Sequence, residues 1–279
     1  MDRRGSYRGK AQNTLRTTDG DKMAEVSIIG GTGLEELLEG VERVTVGTPY
    51  GFPPSISIGE VGGRKVAFLP RHGRRHTTPP HMVNYRANIY ALHKIGVERI
   101  IATNAVGAIN TDLRPGDLVV PHDLVDFTKG RVSTFYDRSP VTHIDFSKPY
   151  CPEIREILIE KAEEVGVRVW DRAVYVCTEG PRYETPAEIR MFKMLGCDIV
   201  GMTGVPEAVL ARELEVCYAT LCFVSNMAAG ISGKVTSREV IEVSKRVIPE
   251  IKKVLIETIK HLPRRRSCPC AEALREAGG

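Results

Sequence analysis

Two short stretches of this chain carry residue types that can hold an oxygen-rich anion. Ile28-Ile29-Gly30-Gly31-Thr32-Gly33 sets a glycine turn directly after an apolar run. Leu69-Pro70-Arg71-His72-Gly73-Arg74-Arg75-His76 sets a cationic loop after a second one. Glycines let backbone N–H groups crowd around an anion, and Thr32 adds a hydroxyl donor. A guanidinium at Arg71 can grip two oxygens of one phosphate, and His72 offers a further donor. Taken singly, each stretch also suits a plainer role, a strand-to-helix turn and a solvated loop. The familiar phosphate patterns do not apply. The dinucleotide pattern needs glycine at 36, where Glu36 stands. Gly230-Ile231-Ser232-Gly233-Lys234 lacks the P-loop spacing and is followed by Val235. A metal on His72, His76 and His81 is the weaker reading, because Arg71, Arg74 and Arg75 in the same loop repel a cation.

The elements that must position these loops alternate between strand and helix. Strand-like runs fall at Val26–Ile29, Val66–Leu69, Arg99–Ala102, Leu118–Val120, Ala173–Val176, Asp198–Val200 and Tyr218–Val224. Several are continuously apolar, as strands covered on both faces are. Helical spacing runs over residues 85–95, Glu153–Val165, Pro186–Leu195, Pro206–Glu215 and Ser237–Leu262. Glycines follow the first three of these segments, Ser237 suits an N-cap, Pro249 suits a kink, and Pro263 ends the last helix. The alternation predicts a three-layer α/β/α domain around a twisted, largely parallel sheet. Ligands on such sheets sit beyond the carboxyl ends of strands. Thr103–Gly107, Cys177–Glu184, Gly201–Glu207 and Ser225–Gly230 all fall at such ends, and they read as loops. Together with the first two stretches they predict a pocket.

Length and composition bound the rest. The 279 residues can bury a large core as one domain. The boundaries read as a polar N-terminal tail at 1–23, a single domain at 24–262 and a C-terminal tail at 263–279. Residues before Met23 are expected to be poorly ordered. A hydrophobic share of 42% and a charged share of 27% indicate a soluble globular chain. The net charge of +4 is modest, and no basic stripe interleaved with aromatics points to nucleic acid. No run is long and apolar enough to span a membrane, and the N-terminus has no secretory pattern, so a cytoplasmic protein is expected. Cys151, Cys177, Cys197, Cys217 and Cys222 read as core residues. Cys268-Pro269-Cys270 in the tail is open between a metal half-site, a redox pair and a disulfide.

Six motifs in order, IIGGTG, LPRHGRRH, TNAVGAI, EGPRYETPAE, GMTGVPE and VSNMAAGI, resemble the purine nucleoside phosphorylase and methylthioadenosine phosphorylase family. The likeness spans Val26 to Leu262. It implies an α/β phosphorylase with a distorted mixed sheet surrounded by helices, assembled as a homotrimer or a dimer of trimers. It implies phosphorolysis of a purine nucleoside without metal or organic cofactor, inorganic phosphate being a co-substrate. The implied phosphate ligands are Thr32, Arg71, His72, Asn104, Ala105 through its backbone, and Thr203. Met202 would pack on the ribose. Glu184 and Asn226 would hold the base, with Met227 and Ala228 beside them. His143 resembles a residue that a neighbouring subunit lends to the 5′ end of the sugar. Asn226, Glu184 and His72 would carry the catalytic burden.

The base-holding residues bear on substrate class. An ionised Glu184 only accepts hydrogen bonds, which suits N1–H of hypoxanthine or guanine and not the N1 lone pair of adenine. The Asn226 amide can donate to O6 and accept from N7–H. The adenine-cleaving branch of the family has serine, aspartate and a second aspartate where this chain has Glu184, Asn226 and Ala228. The resemblance therefore implies cleavage of S-methyl-5′-thioinosine, inosine or guanosine, with methylthioadenosine as the alternative. Ser237, at the position that reads the 5′ group, suits either a methylthio or a hydroxyl substituent. A hydrolytic nucleosidase and a non-catalytic nucleotide binder are the rival classes; phosphate dependence of base release separates the first, and absence of turnover the second.

Overall fold

The computed structural model describes residues 22–275 apart from 32 and 234, together with residue 277. The readings made for the N-terminal tail before Lys22 and for Thr32 lie outside these residues. The strands are β1 (Val26–Gly30), β2 (Glu39–Val44), β3 (Ile56–Val61), β4 (Arg64–Pro70), β5 (Arg99–Ala108), β6 (Leu118–Val119), β7 (Asp123–Phe127), β8 (Val169–Trp170), β9 (Val174–Thr178), β10 (Ile199–Gly201) and β11 (Cys217–Met227). The helices are α1 (Tyr85–Lys94), α2 (Pro152–Glu164), α3 (Pro186–Met194), α4 (Gly204–Glu213) and α5 (Ser237–His261).

The strands form one eleven-stranded sheet whose main path runs β2-β3-β4-β1-β5-β10-β9-β7. β11 pairs with β5 and β6, and β6 also pairs with β8. The sheet is mixed: β1 runs parallel to β4 and β5, whereas β10 runs antiparallel to β5 and β3 antiparallel to β4. Alternation along β1 shows why three layers form. Ile28 points into a core shared with α2 and α5, while its neighbour Ile29 joins a core on the other face shared with α1 and α4.

Local chemistry sets the helix ends. The Asn84 side chain caps α1 by accepting from Ala87 N–H. Thr185 and Glu188 form a reciprocal capping box on α3, with Pro186 at its first position. The α5 cap is Thr236, not the expected Ser237, since the Thr236 hydroxyl accepts from Glu239 N–H. Pro249 is contained within α5.

Two expectations need correction. Thr103–Gly107 and Ser225–Met227 are not loops: β5 continues to Ala108 and β11 to Met227, paired in parallel over their lengths. Their polar and glycine residues read as turn signals, yet each strand finds its backbone partners on the other. In addition, β2, β3, β7 and β8 are strands that the sequence reading did not predict. Five of the six β2 residues are exposed, so its sequence lacks the apolar alternation that marks a strand.

The C-terminal tail docks on the body. Arg266 donates to the Glu215 carbonyl at 2.6 Å, and the Ser267 hydroxyl donates to Glu153 at 2.7 Å. Cys268 and Cys270 then join Cys151 and Cys217, with all four sulfurs within 4.8 Å of one another. Cys217 Sγ and Cys268 Sγ lie 3.3 Å apart, and no disulfide joins any two of the four. Cys151 and Cys217 are buried as expected, but they are also half of this cluster.

Candidate active site

A cavity of ≈ 790 Å³ opens where β1, β4, β5, β10 and β11 end, with α5 along one side. Of the residues singled out from sequence, it gathers Arg71, His72, Asn104, Ala105, Glu184, Met202, Thr203, Asn226 and Ala228. It does not include Met227, which packs beside the core around β9 and β11. His143 is exposed away from it, its N–H donating to the Ala277 carbonyl at 2.9 Å. Ser237 is the first residue of α5.

At one end of the cavity, Arg71 is 3% exposed and held on three sides. Its Nε donates to Glu207 Oε1 at 2.5 Å, one terminal nitrogen to Glu207 Oε2 at 2.9 Å, and the other to the Thr103 carbonyl at 2.8 Å. Burial works against the guanidinium charge, but the Glu207 carboxylate outweighs it and holds the pKa above the ordinary value. The two-pronged grip expected for an anion is thus taken by Glu207. One N–H on each terminal nitrogen remains for a ligand.

His72 also differs from expectation. Its Nδ1 lies 2.8 Å from the Thr78 carbonyl, and a carbonyl only accepts, so Nδ1 bears the proton. Burial, and then the adjacent Arg71 charge, lower its pKa to about 4. The neutral ring therefore leaves Nε2 as an acceptor rather than a donor near neutral pH.

Neutral donors complete this end. The Thr203 hydroxyl donates to Asn104 Oδ1 at 2.7 Å, and Asn104 Nδ2 donates to the Thr220 hydroxyl at 2.7 Å. Thr203 precedes α4, and the Tyr175 hydroxyl accepts from Thr203 and Gly204 N–H at 3.4 and 3.3 Å. A Cβ at Gly204 would stand 2.9 Å from the Tyr175 ring, so glycine is required for this close packing.

At the other end, Glu184 accepts from the Thr178 hydroxyl through Oε1 at 2.6 Å. Burial raises its pKa, and the Thr178 hydrogen bond opposes that rise without cancelling it. Asn226 is fixed by its neighbours: Oδ1 accepts from the Ser225 hydroxyl at 2.7 Å, and Nδ2 donates to the Met227 carbonyl at 2.8 Å. A bulge between Val224 and Asn226 sets Asn226 opposite Gly107. Arg131 ties the two strand ends together, donating to the Met202, Thr178 and Glu179 carbonyls at 2.5, 3.1 and 2.6 Å. The α5 side presents Val240, Ile241, Ile248 and Ile251 together with Ser244 and Lys245.

Sequence reasoning did not pick out Glu207, Arg131, Tyr175 or Tyr218. Glu207 had one available signal: a carboxylate in Gly201–Leu210, a stretch otherwise free of charged side chains. Such a group inside a helix demands a buried partner.

The comparisons agree with this architecture. The Phosphorylase superfamily model matches residues 25–260. A probable 6-oxopurine nucleoside phosphorylase of Korarchaeum cryptofilum is 54% identical, the match covering 91% of this chain and 99% of the relative. A probable S-methyl-5′-thioinosine phosphorylase of Methanopyrus kandleri is 52% identical, covering 91% of this chain and 99% of the relative. The crystal structure of a methylthioadenosine phosphorylase from an antarctic soil metagenomic library superposes with a TM-score of 0.89 at 36% identity, covering 93% of each chain. A family match spanning nearly the whole described fold, with relatives more than half identical along almost their full length, makes this chain a member of the phosphorylase superfamily.

Proposed function

We propose that this protein cleaves the N-glycosidic bond of 6-oxopurine nucleosides with inorganic phosphate. S-methyl-5′-thioinosine, inosine and guanosine are the substrates, and the products are hypoxanthine or guanine and the sugar 1-phosphate. The observation that carries this reading is Glu184, a partly buried carboxylate that lines the cavity and is held by Thr178 through Oε1. An ionised carboxylate accepts from N1–H of a 6-oxopurine, whereas the N1 lone pair of adenine would face it. The names of the relatives above point the same way.

In this reading the base lies against Glu184 and Asn226, and phosphate lies at the Arg71 end. Asn226 has a second amide hydrogen for O6 and a second lone pair on Oδ1 for N7–H, so it supports charge leaving with the purine. Phosphate attacks the anomeric carbon as the ribosyl ring gains positive charge, and the negative charge of phosphate stabilises that ring. The two free N–H groups of Arg71, the second amide hydrogen of Asn104 and the Ala105 backbone hold phosphate in line, while the Thr203 hydroxyl fixes the Asn104 amide. With a neutral His72, Nε2 accepts the proton of a singly protonated phosphate. Met202 packs on the ribose. The aliphatic Val240, Ile241 and Ile248 of the α5 side favour a methylthio group at the 5′ position, with Ser244 and Lys245 as their polar neighbours. A trimer would let His143 of each subunit reach a neighbour's sugar, consistent with its position away from its own cavity.

The test is base release from adenosine, inosine, guanosine and their methylthio forms, each with and without phosphate. Release that needs phosphate or arsenate and favours the 6-oxo compounds is the expected result. Equal release without either anion would mean a hydrolase, and a preference for methylthioadenosine would restore the adenine reading.

A further inference from the structure

Glu207 sits completely buried on α4, one turn after Thr203, and reaches the cavity only through Arg71. We propose that Glu207 is a positioning residue for the phosphate half of the site, fixing Arg71 so that only its terminal N–H groups meet the anion. This inference rests on the phosphorolysis reading above.

The geometry leaves Arg71 little freedom. Glu207 takes Nε–H and one terminal N–H, and the Thr103 carbonyl takes an N–H on the other terminal nitrogen. A guanidinium has five N–H donors, so two remain, one on each terminal nitrogen. Glu207 is itself held: the Tyr218 hydroxyl donates to its Oε2 at 2.8 Å. Tyr218 is buried, and burial followed by the Glu207 charge keeps that hydroxyl protonated. The chain Tyr218–Glu207–Arg71 thus runs from β11 through α4 to the end of β4. A buried ion pair is by itself weak support for stability. This one is set at the wall of the anion end, where its geometry determines which donors a phosphate meets.

Charge gives a second reason. The carboxylate offsets the guanidinium, and His72 is neutral near pH 7. Phosphate then meets directed donors rather than a concentrated positive charge. Such a site holds the anion in one orientation and lets it move toward the anomeric carbon, where a bare arginine would hold it back.

The experiment compares wild type with Glu207→Gln and Tyr218→Phe, reading KM for phosphate and KM for inosine separately. Glutamine keeps the size of the side chain but opposes one Arg71 donor with an amide N–H. Glu207→Gln should raise KM for inorganic phosphate by about ten-fold or more while KM for inosine moves less than about two-fold. Tyr218→Phe, which removes only the hydroxyl, should raise the phosphate KM in the same direction by about two- to five-fold. Inorganic phosphate alone should raise the melting temperature of wild type and fail to raise that of Glu207→Gln, while hypoxanthine still stabilises both. A folded Glu207→Gln with an unchanged phosphate KM overturns the proposal. So does an equal rise in both KM values, which would indicate a merely structural role. If Glu207→Gln does not fold, Tyr218→Phe with the wild-type phosphate KM overturns it. Wild-type base release independent of phosphate would instead sink the phosphorolysis reading.

Discussion

Replacing Glu184 by glutamine tests base recognition through a detail of the side chain's surroundings. The Thr178 hydroxyl donates to Oε1 at 2.6 Å, and its other acceptor, the Gly201 carbonyl, is farther away at 3.4 Å. In Glu184→Gln the same hydroxyl selects the amide oxygen, which turns the NH2 group toward the base. For a 6-oxopurine this opposes N–H to N1–H and removes a hydrogen bond to a charged acceptor. That bond is worth about 1.5–3 kcal/mol, or roughly 10- to 150-fold in kcat/KM. For a 6-aminopurine the NH2 now meets the N1 lone pair, a gain of about 1 kcal/mol or roughly five-fold. The ratio of inosine to adenosine kcat/KM should therefore fall by a factor on the order of 50 to several hundred. The assay is steady-state release of hypoxanthine and adenine at saturating phosphate. Adding Thr178→Val frees the amide to turn over, and part of the inosine activity should return. A single mutant whose ratio stays within about three-fold of wild type would refute both the role of Glu184 and the orienting role of Thr178.

Other outcomes follow from the same geometry. Arg71→Ala should abolish phosphate saturation and also lower the melting temperature, because it strands a buried Glu207 carboxylate at a cost of about 3–5 kcal/mol. The double replacement Arg71→Met with Glu207→Leu should recover the melting temperature but not phosphorolysis, and recovery of activity would place the phosphate elsewhere. Burial raises the Glu184 pKa from 4.5, so the carboxyl takes up its proton at a higher pH than an ordinary glutamate does as pH falls. The kcat/KM for inosine should show an acid limb above pH 4.5 that Glu184→Gln removes, measured as a pH–rate profile. Oxidation followed by mass spectrometry without reductant should give cross-links only among Cys151, Cys217, Cys268 and Cys270, whose sulfurs lie within 4.8 Å of one another; a link through Cys177, Cys197 or Cys222 would contradict the cluster.

The fold was legible where a segment's burial matched its own sequence pattern. The continuous apolar runs of β1, β4 and β11 are covered on both faces by helices, so a pattern rule finds them. β2 and β7 lack that pattern because both are largely exposed, and they hold their place by hydrogen bonds to β3 and β9. The site was legible as residue types rather than as geometry. The arginine and histidine after β4 line the cavity, but their hydrogen bonds were not readable from spacing. Glu207 lies 136 positions from Arg71 and Thr178 lies 6 from Glu184, and nothing local announces either pairing. Arg131 stands in a loop without periodicity, and its purpose appears only when the ends of β9 and β10 come together beneath it.

The long β5–β11 ladder bears on how this molecule can diverge. Asn104, Ala105 and Asn226 sit on paired strands rather than on loops, each in register with a named partner across the ladder. A loop can gain or lose residues and still close, but an odd insertion within a paired strand turns every later side chain to the opposite face. The ladder already contains one such step, at Ser225, and Asn226 keeps its place opposite Gly107 because of it. Deleting Ser225 would carry Asn226 and Met227 out of phase together. Along this ladder, descendants with new substrates can arise by exchanging side chains at fixed positions, while changes in length are selected against. Selection for altered chemistry should therefore leave point replacements at 104, 226 and 228 and an unchanged spacing between them.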